Sequence, residues 1–515
     1  MISRVFTLLA ICFALMVSIV NSKPIYCLNG NCLYTRSNLT TETIISELGP
    51  QLSQRSVIIG PNDASWANVT SRYQAYNQPH ILLVIQPGRE EDIPTIVKYA
   101  NSNSVDFLTV NRGHSLSGSN GRFNGIQISM QLLTDITINK GGKTAWFQGG
   151  TYDQQVIDEL FKHGYVATTG SCACVGMMGP GLGGGHGRYQ GKYGLISDNL
   201  VTLNVVLADG STVRVSEDSH PDLLWAMKGA GHNFGIVTSF ELKIHPKQVD
   251  TWYYRNYVYT QDKLETIFQA INKFHNNGTE PVDMAYEYGV YTMMPNISTT
   301  EAVIFWSFAW SGSQSGAQKY LMPFDKIGPV SIEDGNVPYP EIPDRTGSGL
   351  NDVVCEPGFE HIVGQTETFV WNITAQRKIY DLYNEKVRAQ PLLNSTVVTM
   401  EGYSTEGVKA GESSSSAFPW RNSYNHLAFI SISYAPNPAL DQFALEWRNE
   451  TRALWREGDP GHLPTNYVNY AWGDEPLESV YGYEPWRLEK LRSLKSRYDP
   501  SGRFNYYNPI TGVQG

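Results

Sequence analysis

Two nucleophilic side chains, His114 and Cys172, lie in short glycine-containing loops. His114 follows an apolar run that ends at Val110, and Cys172 precedes a stretch with six glycines between positions 179 and 187. An imidazole nitrogen and a thiolate can both bond covalently to an oxidised isoalloxazine ring. Two such bonds would fix a flavin and strengthen its tendency to accept a hydride, with the cofactor supplying the redox chemistry and the protein its orientation. These residues therefore predict a flavin held at two points.

The sequence around both nucleophiles resembles the berberine-bridge-enzyme-like family of FAD-linked oxidases, which have the PCMH-type fold of the vanillyl-alcohol-oxidase flavoproteins. That family carries Arg-Ser-Gly-Gly-His-Ser in its first loop and Gly-x-Cys-x-x-Val-Gly in its second. Here the second loop is intact, with Cys172 at the flavin-linking position. The first loop has one small residue altered and reads Asn111-Arg112-Gly113-His114-Ser115.

Further matching segments follow in order between about residues 60 and 512. They read Tyr-Gly-Leu-Ile-Ser-Asp-Asn at 193–199, Gly-Ala-Gly-His-Asn-Phe-Gly-Ile-Val-Thr at 229–238, Ala-Phe-Pro-Trp-Arg at 417–421, Tyr-Val-Asn-Tyr at 467–470 and Tyr-Tyr-Asn-Pro at 506–509. Each segment alone is weak evidence for the family, but the presence of all of them in this order is specific to it. Within the family, the Gly-Ser-Cys-Ala-Cys loop is most similar to FAD-linked oxidoreductases of fungal secondary metabolism.

The resemblance implies FAD attached through both His114 and Cys172, with Cys174 as the alternative to Cys172. It implies an α+β fold, in which a two-part PCMH-type FAD-binding domain joins a substrate domain with an antiparallel sheet covered by helices on one face. The implied cofactor-binding residues are Asn111, Arg112, Gly113, His114, Ser115, Cys172, Val175, Gly176, Gly179, Gly235, Val237 and Asn469. No Cys/His spacing in the chain is typical of a metal site.

The resemblance also implies that Tyr470 is the catalytic base. The segment 467–470 is predicted to be a strand, so that Tyr467 and Tyr470 face opposite ways. A free phenol has a pKa near ~10, so a base at Tyr470 needs a nearby positive charge or hydrogen-bond donor. The alternative is that Tyr470 only packs. The next candidates are then Tyr286, Glu287, Tyr288 and Glu401.

One position departs from the family pattern. Many relatives place a histidine near the pyrimidine edge of the flavin, where this chain has Pro180. Proline has no N–H to donate there, so the negative charge of a reduced flavin needs another partner. His186, six residues further on, is the candidate that the sequence offers.

Two other enzyme classes fit the sequence less well. Residues 179–184 contain Gly-x-Gly-x-x-Gly, but no good strand precedes them and the glycines continue where a Rossmann helix should begin. They are better explained as backbone packed against a flat ring or a diphosphate. The loop Gly113-His114-Ser115 lacks the last glycine of a hydrolase nucleophile elbow, because Ser117 stands there.

The pattern of elements changes along the chain. Strand and helix signals alternate from about 55 to 245, including a strand at 81–85, a helix with Ile93, Ile96, Val97 and Ala100 on one face, and a strand ending at Val110. Aromatic and β-branched runs dominate from about 246 to 460. The predicted divisions are 1–22, a signal peptide; 23–55, an N-terminal segment; 56–245, the FAD-binding domain; 246–460, the substrate domain; and 461–515, a C-terminal segment that returns to the FAD domain.

Several features indicate a secreted protein. Arg4, an apolar run over 5–20 and small residues at 20–22 are typical of a cleaved secretory signal. Asn-x-Ser/Thr sequons begin at Asn38, Asn68, Asn277, Asn296, Asn372, Asn394 and Asn449. After signal removal five cysteines remain. Cys27 and Cys32 flank a tight turn and are predicted to form a disulfide, whereas Cys174 and Cys355 are either a pair or two buried thiols.

These observations predict a secreted FAD-linked oxidase that takes a hydride from a small, partly aromatic metabolite and is reoxidised by oxygen to give hydrogen peroxide. The alternatives are a carbohydrate oxidase, a dehydrogenase, and a binding or cyclising flavoprotein without net redox. A net charge of −10 argues against nucleic acid as a partner. No membrane association is expected after signal removal, and the oligomeric state is left open.

Overall fold

The computed structural model of the chain describes residues 24–28, 31–34 and 39–512, with side chains from residue 39 onward. The strands Pro24–Leu28 and Asn31–Tyr34 form an antiparallel hairpin with the backbones of Cys27 and Cys32 opposite each other. The disulfide predicted between those side chains lies outside the described residues, and so does the signal peptide predicted at 1–22. Within 39–512, no helix is both long and apolar enough to cross a membrane.

A four-stranded sheet carries the loop of His114. Its strands, in spatial order, are Val57–Ile59, His80–Gln86, Asn124–Ser129 and Asp106–Val110. The last three are parallel, and the helix Asp92–Ser102 connects two of them. Ile93, Ile96, Val97 and Ala100 are fully buried on that helix. The predicted strand, helix and strand are therefore confirmed, and the loop of His114 leaves the carboxyl end of Asp106–Val110.

A five-stranded antiparallel sheet forms the second part of the flavin side of the molecule. Its order is Thr212–Ser216, Leu200–Val206, Ile236–Lys243, Thr144–Gln148 and Ile136–Ile138. The predicted hairpin around Asp209-Gly210 is present as the first two strands. The helices Asp153–Lys162 and Pro221–Ala230 accompany this sheet. Residues 167–189, which include Cys172, are loops with the single short helix Met178–Gly181.

The third sheet has seven antiparallel strands. Their order is Ser331–Val337, Trp252–Tyr259, Val303–Trp310, Met284–Thr292, Val397–Gly402, His426–Tyr434 and Glu360–Thr368. The helices Leu264–His275, Gln314–Asp325, Ile373–Ala389 and Pro438–Gly458 pack with one face of it in a common apolar core. Asn372 and Asn437 begin the last two helices, each accepting a backbone N–H with its side chain. The predicted α+β class, with helices on one face of the substrate-side sheet, is confirmed.

Side chains alternate along the central strand Met284–Thr292. Tyr286 and Tyr288 point to the uncovered face, and Glu287 points to the helix side, where it contacts His275 and Trp306. The residues after 460 form the helices Leu477–Tyr481 and Pro485–Tyr498 and contact the flavin-side sheets, where Arg503 pairs with Asp106. The divisions at 55, 245 and 460 remain predictions.

Candidate active site

A cavity of about 400 Å³ lies between the flavin-side sheets and the uncovered face of the seven-stranded sheet. Of the further candidates for the base, Tyr286, Tyr288 and Glu401 line it, and Glu287 does not. All thirteen residues that the sequence proposes first, for cofactor binding or as the base, line it. They are Asn111, Arg112, Gly113, His114, Ser115, Cys172, Val175, Gly176, Gly179, Gly235, Val237, Asn469 and Tyr470. The fold therefore brings together segments that are more than 350 positions apart in the chain.

His114 is held in a defined orientation and tautomer. Its ring stacks on Tyr73 with centroids 4.1 Å apart, and Tyr73 stacks in turn on His361. Nε2 lies 2.7 Å from the carbonyl oxygen of Val354. A carbonyl only accepts hydrogen bonds, so Nε2 carries the proton and Nδ1 keeps the lone pair. Burial lowers the pKa of His114, which favours the neutral, nucleophilic ring.

Cys172 is the free thiol at this site, since Cys174 forms a disulfide with Cys355. The pairing decides between the alternatives that the sequence left open for Cys174 and Cys355. The Sγ of Cys172 and a ring nitrogen of His114 lie within 4.8 Å of each other. Burial, together with the charge of Asp153, raises the pKa of Cys172 to about 12, so its thiolate requires a base or an electrophile close at hand.

Backbone packing explains two glycines of these loops. Gly113 has φ of +70°, and a Cβ at this position would lie 3.1 Å from the carbonyl oxygen of Ser71. A Cβ at Gly176 would lie 2.4 Å from Nδ2 of Asn111. That amide holds the next loop by donating to the carbonyl oxygens of Gly149 and Thr151. The glycines thus allow the loops to approach one another at the cavity wall.

Several polar atoms of cavity-lining residues have no partner among the described residues, and two of them belong to Asn469 and His232. Oδ1 of Asn469 and Nδ1 of His232 are buried and unbonded, although the other polar atom of each side chain is bonded to protein. Buried polar atoms are ordinarily paired. A planar ring with polar edges in the cavity would provide hydrogen-bond partners for them. On the flavin side, glycines and apolar side chains line the cavity. The residues present therefore fit FAD, with His114 and Cys172 placed to hold it.

Tyr470 faces a carboxylate. Its hydroxyl lies 3.0 Å from Oε2 and 3.2 Å from Oε1 of Glu401. Burial raises the pKa of Glu401 to about 7. Burial and the charge of Glu401 raise the pKa of Tyr470 well above its usual value. The positive charge or hydrogen-bond donor expected beside Tyr470 is absent from this contact, and a proton acceptor, Glu401, is there instead. Tyr470 can therefore give its phenolic proton to Glu401 when its oxygen accepts another proton.

The strand predicted for residues 467–470 is wrong. These residues form a turn, in which the N–H of Tyr470 donates to the carbonyl oxygen of Tyr467. The backbone N–H and carbonyl of Tyr467 are bonded instead to the side chain of Gln365, which removes them from strand pairing. The rings of Tyr467 and Tyr470 consequently lie 5.1 Å apart on the same cavity, so the predicted opposite orientation is also wrong.

Tyr467 organises the glycine-rich loop. Its hydroxyl oxygen accepts the backbone N–H groups of Gly185 at 3.1 Å and His186 at 3.3 Å, and the amide of Asn469 at 2.5 Å. The carbonyl oxygen of Pro180 accepts the same Asn469 amide. Asn469 therefore links the motif that carries Tyr470 to the loop that follows Cys172.

His186 is not a cation in this structure. Its Nδ1 lies 2.9 Å from the side-chain oxygen of Gln190, and Tyr424 contacts the same ring. Burial lowers the pKa of His186 to about 4. His186 lines the cavity, so it can offer a hydrogen bond, but it supplies no positive charge at neutral pH in place of the histidine that Pro180 replaces.

The wall opposite the flavin-side loops is aromatic. Tyr286, Tyr288, Tyr403 and Phe429 line the cavity there together with Glu401 and Tyr470. Tyr286 and Tyr288 stack with centroids 5.8 Å apart. This surface suits a flat or apolar substrate, and Glu401 is the acidic residue on it.

Two groups of residues in the described part of the chain bring at least three possible metal ligands together. One is His114, Cys172 and Cys174, but the sulfur of Cys174 is committed to its disulfide. The other is His275, Glu287 and His426, on the helix side of the seven-stranded sheet. There Nε2 of His275 lies 2.8 Å from Oε1 of Glu287, and Nδ1 lies 3.4 Å from Oε2 of Glu280. A protonated His275 is therefore the cation that pairs with both carboxylates.

Comparison with known proteins identifies the family. Residues 81–216 match the FAD binding domain family. FAD-linked oxidoreductase anuG of Penicillium roqueforti is 56% identical over 497 residues, which cover 96% of this chain and 97% of that protein.

The chain belongs to the FAD-linked oxidoreductases.

Solved structures of low identity have the same fold as this FAD-linked oxidoreductase. The BBE-like 1 protein of Physcomitrella patens is 18% identical with a TM-score of 0.75, and the alignment covers 92% of this chain and 99% of that one. Glucooligosaccharide oxidase of Acremonium strictum, which carries a 6-S-cysteinyl, 8α-N1-histidyl FAD, is 19% identical with a TM-score of 0.76, covering 91% and 98%. These structures confirm the PCMH-type fold, and the domain match together with the relative of 56% identity confirms an FAD oxidoreductase.

The sequence did not indicate how residues 346–359 take part in the site. Thr346, Gly347, Ser348 and Val354 line the cavity, and the carbonyl oxygen of Ser348 accepts the N–H of Ala173. We call residues 346–359 the strap, because they reach from the substrate side to both flavin-side loops. The unassigned Cys355 was the signal that pointed to this segment.

Proposed function

We propose that this FAD-linked oxidoreductase is a secreted oxidase of a small, partly aromatic metabolite, with FAD bonded to both His114 and Cys172. The observation that carries the proposal is the separation of less than 4.8 Å between a ring nitrogen of His114 and the Sγ of Cys172. Two nucleophiles at this distance can reach two positions at one end of a single ring system. FAD bound there would accept a hydride from substrate and return the electrons to oxygen.

The free nitrogen of His114 supports a particular attachment. The carbonyl of Val354 keeps the proton on Nε2, so Nδ1 is the nitrogen available for a bond. An 8α-N1-histidyl bond, as in the glucooligosaccharide oxidase, uses the corresponding nitrogen. We therefore propose Nδ1 as the linking atom.

Tyr470 and Glu401 would remove the substrate proton together. As hydride leaves the substrate carbon, Tyr470 takes a proton from the adjacent hydroxyl or amine. The phenolic proton of Tyr470 passes at the same time to Glu401, at 3.0 Å. This transfer requires Glu401 to be ionised beforehand, so the pair works as a base above the raised pKa of the carboxyl group, about 7.

The aromatic wall supports a metabolite rather than an oligosaccharide as substrate. Carbohydrate oxidation is the second candidate, because two solved structures of this fold are a chitooligosaccharide oxidase and a xylooligosaccharide oxidase. Peroxide release measured against a set of phenolic and benzylic alcohols and a set of oligosaccharides separates the two. Strong turnover of an oligosaccharide with no turnover of the aromatic alcohols would contradict the proposal.

The electron acceptor and the net redox reaction need separate experiments. Chemically reduced protein mixed with oxygen should recover the oxidised flavin spectrum rapidly, whereas slow recovery would indicate a dehydrogenase. A substrate that bleaches the flavin without oxygen supports oxidation, and product formation without bleaching would indicate a cyclisation.

Export of the protein is supported by the positions of its sequons. The asparagines that begin the six sequons after Asn38 are all exposed. They are Asn68, Asn277, Asn296, Asn372, Asn394 and Asn449. The disulfide between Cys174 and Cys355 fits an oxidising compartment. Expression in a secreting fungal or yeast host, followed by a mobility shift on deglycosylation, tests the proposal, and intracellular retention of unglycosylated protein would contradict it.

A further inference from the structure

Three sulfur atoms meet beside the proposed flavin position. The Sγ of Cys172 lies 3.7 Å from that of Cys174 and 3.8 Å from that of Cys355, and the latter two are bonded to each other. We propose that the Cys174–Cys355 disulfide reserves Cys172 for the flavin, because it occupies the two thiols that would otherwise oxidise with Cys172. This inference rests on the covalent attachment proposed above.

The position of Cys172 protects the disulfide as well. Thiolate attack on a disulfide proceeds along the sulfur–sulfur axis, with the attacking sulfur close to one partner and far from the other. Cys172 is almost equally distant from both sulfurs, so it lies beside the bond and not along its axis. Exchange is therefore disfavoured while the disulfide is intact, and Cys172 stays available as a thiol.

Removing one partner of the disulfide would change this outcome. The remaining thiol, whether Cys174 or Cys355, is already in van der Waals contact with Cys172. In an oxidising compartment the two thiols would lose two protons and two electrons to a disulfide oxidant such as oxidised glutathione, which becomes two glutathione thiols. The new bond would consume the sulfur that the flavin needs.

The same disulfide positions the other attachment point. Cys355 follows Val354, whose carbonyl oxygen fixes the tautomer of His114. Cys174 lies in the loop of Cys172, and the strap is joined to that loop a second time by the N–H of Ala173, which donates to Ser348. Cross-linking two segments 181 positions apart thus holds the His114 acceptor and the Cys172 loop in one arrangement.

Three variants of the full secreted chain test the proposal: Cys174→Ser, Cys355→Ser and the double variant. The measurement is peptide mass mapping after the thiols are blocked with iodoacetamide, which distinguishes flavin-linked, disulfide-linked and free Cys172. Forming the cysteinyl bond removes one hydrogen from Cys172 and one from the ring carbon, and oxygen accepts both as hydrogen peroxide.

We expect each single variant to lose cysteinyl flavin by roughly tenfold, because two thiols held in contact react at a high effective concentration. Cys172 should then appear bonded to the remaining cysteine. The double variant should regain the cysteinyl bond, since no competing thiol remains. Incubation of a single variant with FAD under air, with dithiothreitol kept present so that the competing disulfide stays reduced, should restore the cysteinyl bond without a second substitution.

Two results would overturn the inference. One is a single variant that keeps as much cysteinyl flavin as the parent. The other is a double variant with no more cysteinyl flavin than either single variant, which would mean that the disulfide serves folding alone. Failure of the proposed function is seen separately, as a parent protein in which the Cys174–Cys355 bond is intact and Cys172 carries no flavin.

Discussion

The hydroxyl of Tyr470 lies 3.0 Å and 3.2 Å from the two carboxylate oxygens of Glu401, at the wall of the cavity that also holds His114 and Cys172. The phenol therefore has a proton acceptor of its own. We propose that this pair of residues transfers the substrate proton. The two residues lie on separate segments, the turn 467–470 and the strand Val397–Gly402.

Replacing Tyr470 by phenylalanine should slow flavin reduction by substrate. The ring and its packing remain, and the group that contacts the substrate proton is lost, so the rate should fall by ~10²–10⁴-fold. Reoxidation by oxygen should be unchanged, because it does not use this proton transfer. Stopped-flow absorbance measures both rates. Tyr383→Phe is a matched control, since Tyr383 is buried away from the cavity and its hydroxyl donates to the carbonyl of Thr396. Equal reduction rates for Tyr470→Phe and the parent would place the base elsewhere.

Replacing Glu401 by glutamine should remove a pH dependence. In the parent, reduction should accelerate as the pH rises through about 7, because burial raises the pKa of Glu401 to that value and only its ionised form accepts the phenolic proton. Glutamine accepts no proton, so the variant should be slow and level across this range. A rate–pH profile from 5.5 to 8.5 provides the test, and an unchanged inflection near 7 in the variant would assign it to another group.

Replacing Tyr467 by phenylalanine should lower the stability of the protein, because its hydroxyl faces the glycine-rich loop and not the opposite side of a strand. The loss of its oxygen leaves the N–H groups of Gly185 and His186 without their acceptor. Each buried unpaired donor costs about 1–3 kcal/mol. Thermal unfolding of the variant should therefore show a clear loss of stability, whereas an unaltered melting temperature would mean that water replaces the hydroxyl.

The buried cluster behind the seven-stranded sheet should make stability depend on pH. Burial alone would lower the pKa of His275, but hydrogen bonds and the charges of Glu280 and Glu287 raise it to about 9. Because the pKa of His275 is raised in the folded state, its protonation stabilises the protein. This stabilisation is fully present below the unfolded pKa near 6.5 and is lost as the pH rises through about 9. The contribution amounts to about 3 kcal/mol.

Denaturant unfolding of the parent and of His275→Gln at pH 6 and pH 9.5 measures this contribution. The difference between the two proteins in free energy of unfolding should be larger at pH 6. A difference that is the same at both pH values would mean that His275 is uncharged in the folded protein.

Local patterns in the sequence were sufficient for most of the architecture. The face formed by Ile93, Ile96, Val97 and Ala100 predicted a helix whose buried side is the observed one, and the loop motifs of His114 and Cys172 predicted residues that meet at one cavity. The strand predicted at 467–470 failed because Gln365, about 100 positions away, takes the backbone bonds of Tyr467. Alternation of side chains carries no information about such a partner.

Contacts between distant segments also could not be predicted from the sequence. The hydrogen bond from His114 to Val354 joins residues 240 positions apart. Neither residue carries a local signal for it, since any backbone carbonyl could accept that proton. The sequence offers Glu401 only as a substitute for Tyr470, because the distance between its carboxylate and the Tyr470 hydroxyl depends on how the turn and the sheet meet.

Retention of flavin after denaturation tests the central proposal most directly. The parent, His114→Ala, Cys172→Ala and the double variant would be precipitated with acid, washed, and examined for flavin absorbance in the redissolved protein. Covalent attachment at both residues predicts a yellow parent, two single variants that each keep flavin through the remaining bond, and a colourless double variant. A parent that releases all its flavin on precipitation, or a double variant that retains it, would contradict the proposal.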